Sequence, residues 1–380
     1  MRDGAPFPEL CMRFDVVIAG GSLAGLAAAV NCAGKGARTL VVDVKPDIGA
    51  FKCAEGAMGE HLSRAGFPPS REWVALELDR FRLVSPGGVR VDVRSRYKKM
   101  CMLDRGKLQQ HILGKALDRG CEMRTSLRAG RLDLDAGTLR LGSGEDVQAR
   151  TFIDATGAAA ALGRQYGLPR LSRDEMSLVA QWTMQAGGLE EDMFQLLFGS
   201  RHHSPAGYSW IFPKGNGLFN IGAGGLASHI PKGVLPRELL ERFIRDMVPR
   251  PGKRLRYVAS FLPSSRPAER PVIKSQDGEK ALLLTGDAAR LCVASISAGI
   301  ANALQSGRWA GENWDAPEKY QMILKRGLYK NLVRSHRFKM RNFTDERMEG
   351  VFSWKIRPMG FLHRLFPATL EQMTVDMLGF

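Results

Sequence analysis

Apolar residues in the first 45 positions fall into short blocks that stop at glycines. Residues 14–19 run through Phe14, Val16, Val17, Ile18 and Ala19 and end at the pair Gly20-Gly21. A short, β-branched, apolar block bounded by glycine predicts a buried strand. Residues 23–35 are rich in Ala and Leu and predict a helix, closed by Gly34 and Gly36. Residues 39–43 predict a second strand, so the two strands flank a helix and should run parallel. A turn-rich stretch follows over 45–59. Residues 81–94 alternate around Pro86-Gly87-Gly88 and predict a hairpin. A helix is expected over 107–118 and a strand over 152–157. Residues 177–225 carry strand formers and aromatics without a helical period and predict an antiparallel sheet. Residues 281–285 predict a last buried strand and 299–311 a helix. From Asn313 onward the pattern is helical and basic.

Composition narrows the class. The 380 residues are 44% apolar and 25% charged, enough for a large core and two lobes. No run of 18 apolar residues occurs, so no spanning helix is expected. Residues 1–13 hold Asp3, Pro6, Pro8 and Glu9 and show no apolar signal region. The six cysteines include no C-x-x-C pair and no spacing suited to a metal, which fits a reducing cytoplasm and no metal site. A net charge of +16 favours anionic partners.

The loop Gly20-Gly-Ser-Leu-Ala-Gly25 joins the first strand to the first helix. It matches a dinucleotide fingerprint with Ser22 at the middle glycine. The glycines permit a tight turn and close helix packing. The small residue Ser22 lets a pyrophosphate approach the helix N-terminus, where free N–H groups favour anions, and Ala24 of the same loop is a further cofactor-binding candidate. Asp43 ends the second strand, where a carboxylate accepts hydrogen bonds from ribose hydroxyls. Far downstream, Gly286-Asp287 follows an apolar strand and Gly299-Ile300 opens a helix. This order resembles flavoenzymes of the p-hydroxybenzoate hydroxylase type. There the Asp binds the ribityl chain of FAD, and the helix N-terminus faces the flavin pyrimidine. Phe152-Ile-Asp-Ala-Thr-Gly157 resembles the middle motif of that superfamily.

Two further segments, Asp47-Ile-Gly-Ala-Phe-Lys-Cys-Ala-Glu-Gly56 and Pro205-Ala-Gly-Tyr-Ser-Trp-Ile-Phe-Pro-Lys-Gly215, resemble the geranylgeranyl reductase family. The resemblance covers about residues 14–310. It implies an α/β fold: a Rossmann-like FAD-binding domain, an antiparallel β-sheet substrate domain and a C-terminal helical region. The boundaries expected are 12–172 for the first part of the FAD-binding domain, with a hairpin near 80–95. Residues 173–267 would form the substrate domain, 268–312 the second FAD-binding part, and 313–380 the basic helical region. The resemblance also implies that Cys53, Ala54 and Gly56 touch FAD, that Arg105 binds it, and that Ala129 touches the adenine side. Asp287, Gly299 and Ile300 complete that set. Before Gly299 the family often has a proline-containing turn, and this chain has Ala294, Ser297 and Ala298 instead.

Other residues admit two readings each. Cys53 is a packing residue or a flavin contact with a redox or proton-transfer role. Glu55 reads as a proton carrier near the flavin or, the reading preferred here, as an exposed loop carboxylate. Tyr208, Trp210 and Phe212 alternate on one strand face, as sheet core or as the aromatic wall of an apolar substrate pocket. His202-His203 reads as a surface pair rather than a metal site. Residues 319–341 hold eight Lys/Arg and no acid, with Leu324, Leu328 and Leu332 at helical spacing. They form a docked helix with a solvated face, or a helix set against an anionic membrane.

The resemblance implies an FAD-dependent reductase of carbon–carbon double bonds in an isoprenoid lipid chain. The external reductant, NAD(P)H or a reduced electron carrier, has no second dinucleotide motif to bind. A flavin monooxygenase or halogenase shares the nucleotide motifs, but halogenases carry Trp-x-Trp-x-Ile-Pro where this chain has Tyr208-Ser-Trp-Ile-Phe-Pro213. A nucleic-acid partner is not expected, because the basic residues are not interleaved with aromatics.

Overall fold

The computed structural model describes residues 12–49, 54–95 and 99–356. A six-stranded sheet forms the centre of the nucleotide-binding part. Its order is Val272–Lys274, Ala281–Leu284, Thr151–Asp154, Val16–Ala19, Thr39–Val42 and Glu122–Arg124. All neighbours are parallel except the edge strand Val272–Lys274. The four middle strands are buried at every position, as expected of parallel strands covered on both faces.

Two helices cross on this sheet at very short range. A Cβ added to Gly307 would lie 2.1 Å from the Ala24 carbonyl oxygen, and one at Gly311 would lie 2.4 Å from that of Ala28. Only glycines let the helix Ile300–Glu312 lie so close to the helix Leu23–Gly34.

The larger sheet has seven strands, in the order Arg250–Pro263, Met176–Gly187, Leu218–Leu226, Ser204–Gly215, Phe194–Gly199, Arg80–Val84 and Arg90–Arg94. It is antiparallel except where Phe194–Gly199 runs parallel to Arg80–Val84. The hairpin forms as the sequence predicts. The sequence grouped it with residues 12–172, yet its strands extend the sheet of residues 176–263.

One face of this sheet is closed by the amphipathic helix Pro236–Met247, whose Leu239, Leu240, Phe243 and Ile244 pack on Ile211, Phe219, Ile221 and Ala223. By strand alternation the opposite face is left to Tyr208, Trp210 and Phe212.

His202 corrects the surface reading. It lies in a 3-10 turn after the strand Phe194–Gly199, is buried, and shares a 3.1 Å hydrogen bond with the Ser85 carbonyl. His203 turns outward, at φ 60°, to pair with Asp246 at 2.7 Å. Beyond Asn313 the described chain is helical through Ile356.

Candidate active site

The glycine loop is fixed by sterics. Gly20 has φ +106°, and a Cβ there would lie 2.4 Å from the Ala155 carbonyl oxygen; one at Gly25 would lie 1.9 Å from that of Gly20. Ser22 at the middle position is the N-cap of the first helix. Its hydroxyl accepts from the Gly25 N–H at 3.4 Å and donates to the Ala155 carbonyl at 3.1 Å. Asp43 receives the Gly21 N–H at 2.6 Å and the Lys45 N–H at 2.8 Å, so its carboxylate is held at the loop with lone pairs to spare. The Leu127 N–H donates to the Asp43 carbonyl, which brings Ala129 to the Asp43 side of the loop. Neither Asp43 nor Ala129 lines the large cavity described below.

Asp154 of the middle motif serves the backbone. Its carboxylate accepts the N–H groups of Thr156, Leu162 and Gly163 at 3.0, 2.9 and 2.8 Å, and so fixes the turn through Ala155 and Gly157. Arg105 opens the helix Arg105–Leu117 and donates to Gln109 at 2.7 Å; Gln109 in turn donates to the Gly21 carbonyl at 2.7 Å.

Asp287 faces the cavity across from Arg105. Among the described residues no donor reaches its carboxyl oxygens. Burial raises its pKa to about 6, with the Arg105 charge opposing. Gly299 caps the helix Ile300–Glu312 without a side-chain bond, so the first amides of that helix are open to the cavity.

These groups border one cavity of about 630 Å³. Ser22, Ala24, Arg105, Gly286, Asp287, Gly299 and Ile300 line one side, with Ala54 and Gly56 beside them. Tyr208, Trp210 and Phe212 form the wall on the large sheet, their rings 5.9 and 6.3 Å apart in sequence. Tyr208 donates its hydroxyl to the Ile296 carbonyl, tying the wall to the loop before Gly299. A Cβ at Gly222 would lie 2.0 Å from the Trp210 indole, so this glycine makes room for the ring. Cys53 lies outside the described residues.

Two site features escape the sequence reading. Glu55 is not an exposed loop acid: it is 3% exposed, at φ 69°. Lys214 donates to it at 2.6 Å and Asn220 at 2.6 Å, while Asn220 also holds the Ala54 carbonyl at 3.1 Å. The two segments that carry the family resemblance are thus joined by a buried ion pair. Lys339, counted with the basic surface, is buried in the cavity wall.

The site fits FAD on its own geometry. A buried carboxylate without a donor suits ribityl hydroxyls, and the open amides after Gly299 suit the electron-rich flavin edge. The glycine loop and Ser22 leave the first helix N-terminus open to a pyrophosphate. A Rossmann-like half joined to an antiparallel sheet over such a cavity defines an FAD-dependent oxidoreductase. Residues 175–261 match the family model of the geranylgeranyl reductase catalytic domain. The chain is 35% identical to digeranylgeranylglycerophospholipid reductase 2 of Methanopyrus kandleri, over 79% of this chain and 76% of that one. It is 29% identical to digeranylgeranylglycerophospholipid reductase of Methanoculleus marisnigri, over the same shares. The crystal structure of a geranylgeranyl bacteriochlorophyll reductase-like protein from Thermoplasma acidophilum superposes with a TM-score of 0.82 at 25% identity, covering 96% of this chain and 100% of that one. The chain belongs to the geranylgeranyl reductase family. A flavin-dependent brominase, at 16% identity and a TM-score of 0.64 over 97% of this chain and 94% of its own, shares the fold alone.

Proposed function

We propose that the protein saturates carbon–carbon double bonds in the isoprenoid chains of a glycerophospholipid-type lipid. The observation that carries this reading is the aromatic-walled cavity bordered on one side by the nucleotide-binding groups. In this reading the parallel-sheet part, residues 12–172 and 268–312, holds FAD. Ser22, Ala24 and the loop glycines Gly20 and Gly25 cradle its pyrophosphate, and Asp43 and Ala129 serve its adenosine side. Arg105, Gly286, Asp287, Gly299 and Ile300, with Ala54 and Gly56, hold the ribityl and flavin portions. Bound FAD, once reduced, supplies a hydride.

Tyr208, Trp210 and Phe212 hold the chain flat and keep water away, and a proton completes the addition at the second carbon. An electron donor, NAD(P)H or a reduced carrier, meets the flavin transiently. Dithionite-reduced enzyme incubated with a lipid extract should yield products heavier by about 2 Da per reduced bond, read by mass spectrometry; hydroxylated or halogenated products, or no change, would overturn the reading.

A lipid substrate requires access from a bilayer, and among the described residues no helix is long and apolar enough to cross one. We place the contact on the C-terminal helices. Lys325, Arg326, Lys330 and Arg334 are exposed there, alongside Met322, Met340 and Trp354, the last 84% exposed. Phe352, expected beside Trp354 at the interface, is instead buried in the core, and Phe361, Leu362 and Phe366 lie outside the described residues. Each cation near an anionic surface contributes about 1 kcal/mol within a Debye length. Flotation with anionic vesicles should therefore succeed at low salt and weaken at high salt. Changing the four cations to Gln, or Trp354→Ser, should reduce flotation with FAD content unchanged. Equal binding to neutral and anionic vesicles would place the contact elsewhere.

A further inference from the structure

We infer that Lys339, Ser177 and Ser264 form a binding site for a phosphate-type oxyanion at one end of the substrate cavity. Lys339 is the one cation of residues 319–341 turned fully inward; it is 3% exposed, while Lys325, Arg326, Lys330, Arg334 and Arg337 face outward. Its ammonium donates to Ser177 at 2.8 Å and to Ser264 at 2.9 Å, and the two hydroxyls lie 2.7 Å apart. Among the described residues it forms no ion pair. Glu175, two residues before Ser177, is engaged with Arg290 at 3.5 Å. Both Lys339 and Ser177 line the cavity.

The hydrogen-bond arithmetic sets the ligand chemistry. An ammonium has three donors and no acceptor, and each hydroxyl has one donor. Two ammonium hydrogens go to the serines, and one hydroxyl hydrogen joins the serines to each other. One N–H and one O–H are left, both donors. The Phe343 ring, 5.7 Å from the ammonium, offers it a π face but no counter-ion. A hydrogen-bond partner for the remaining donors must be an acceptor, and a buried positive charge without a counter-ion among the described residues favours an anionic one. Burial lowers the Lys339 pKa to about 8, and a bound anion would raise it again.

The position of the cluster gives the substrate a direction, and this step rests on the prenyl-reductase reading. Ser177 stands two residues from Val179, which is in register with Gly224 and Tyr208; Phe212 is in register with Asn220 and Thr183, six residues from Ser177. At about 3.3 Å per residue, the floor from the cation to Phe212 spans roughly 20 Å, enough for several isoprene units. An anionic head at Lys339 therefore lays the chain along the aromatic wall.

The test uses the FAD-loaded protein and titration calorimetry with inorganic diphosphate, geranylgeranyl diphosphate, geranylgeranylglyceryl phosphate and geranylgeraniol. Wild type should bind the anionic prenyl ligands at least tenfold more tightly than the alcohol. Lys339→Met should erase that preference, keep alcohol binding and FAD content, and melt at or above the wild-type temperature, because the serine pair still satisfies itself. Should Lys339→Met fail to fold, Ser177→Ala with Ser264→Ala should weaken anion binding severalfold. A dependence on Lys339 confined to the glyceryl phosphate identifies a lipid headgroup as the source, and one confined to the diphosphate identifies the free prenyl diphosphate; either supports the site. Anion preference unchanged in Lys339→Met overturns it. Inorganic diphosphate bound through Lys339, with none of the three prenyl ligands bound, keeps the site and sinks the reductase reading. Prenyl binding without anion preference does the reverse.

Discussion

Replacing Asp287 by Ala is expected to weaken FAD binding by about 1–3 kcal/mol, roughly 5- to 150-fold in Kd, by removing the acceptor for ribityl hydroxyls. The pH dependence follows from the raised pKa of about 6. In the apoprotein, burial makes the folded state hold this proton more tightly than the unfolded chain, whose carboxyl titrates near 3.8. The stability tied to that proton is fully present below about pH 3.8 and is lost as pH rises through about 6. At pH 7 the Ala variant's apoprotein should therefore match or exceed the wild type in melting temperature while binding FAD less well. FAD reverses the preference, because donating hydroxyls favour the ionised carboxylate. Wild-type FAD affinity should fall as pH drops through 6, and the variant should lack that component. Flavin fluorescence titrations between pH 5 and 8 measure both. A variant with wild-type affinity across that window would show that Asp287 does not contact the cofactor.

The parts of the site legible in the sequence are those set by local sterics and chain order. A strand, a glycine turn and an Ala-rich helix in succession leave few folds open. Gly20 and Gly25 form the turn between strand and helix because backbone approach permits little else, and Asp43 meets that turn at the Gly21 N–H. Tyr208, Trp210 and Phe212 share a wall because strand alternation requires it. Ser22 departs from the glycine pattern, and the structure supplies the reason, since its hydroxyl caps the helix.

What stayed hidden depends on partners distant in sequence. Glu55 in isolation is a loop carboxylate; a lysine 159 residues later, with the Asn220 amide, helps make its burial tolerable. Lys339 belongs to a stretch of surface cations and turns inward because Ser177 and Ser264 meet there. His202 departs from the surface reading because the chain leaves its strand at Gly199, and Ser85 supplies a buried acceptor. The hairpin near residue 80 joins the larger sheet through a parallel contact with Phe194–Gly199 that no local pattern announces.

Lys214→Met is expected to produce the largest loss of stability. Lys214 lies one residue past the aromatic strand motif and reaches the Glu55 carboxylate and the Leu103 carbonyl, at 2.6 and 3.2 Å. Removing the ammonium takes a charged donor from a carboxylate that is 3% exposed and that also receives the Asn220 amide. Breaking one half of a buried pair costs about 3–5 kcal/mol, because the remaining charge stays desolvated. The effect should reach the cofactor. Glu55 holds φ 69°, a conformation costing a non-glycine residue about 1–3 kcal/mol, and it persists because its side chain and carbonyl are both tied down. Release of Glu55 should loosen Ala54 and Gly56 on the cavity side, so FAD affinity should fall together with stability. Glu55→Gln combined with Lys214→Met removes both charges, keeps an acceptor for Asn220 and should recover most of the loss. Urea unfolding and FAD titration of the two single variants and the double variant separate the terms. A Lys214→Met loss below about 1 kcal/mol would show that Glu55 finds solvent, and that the loop is not clamped by this pair.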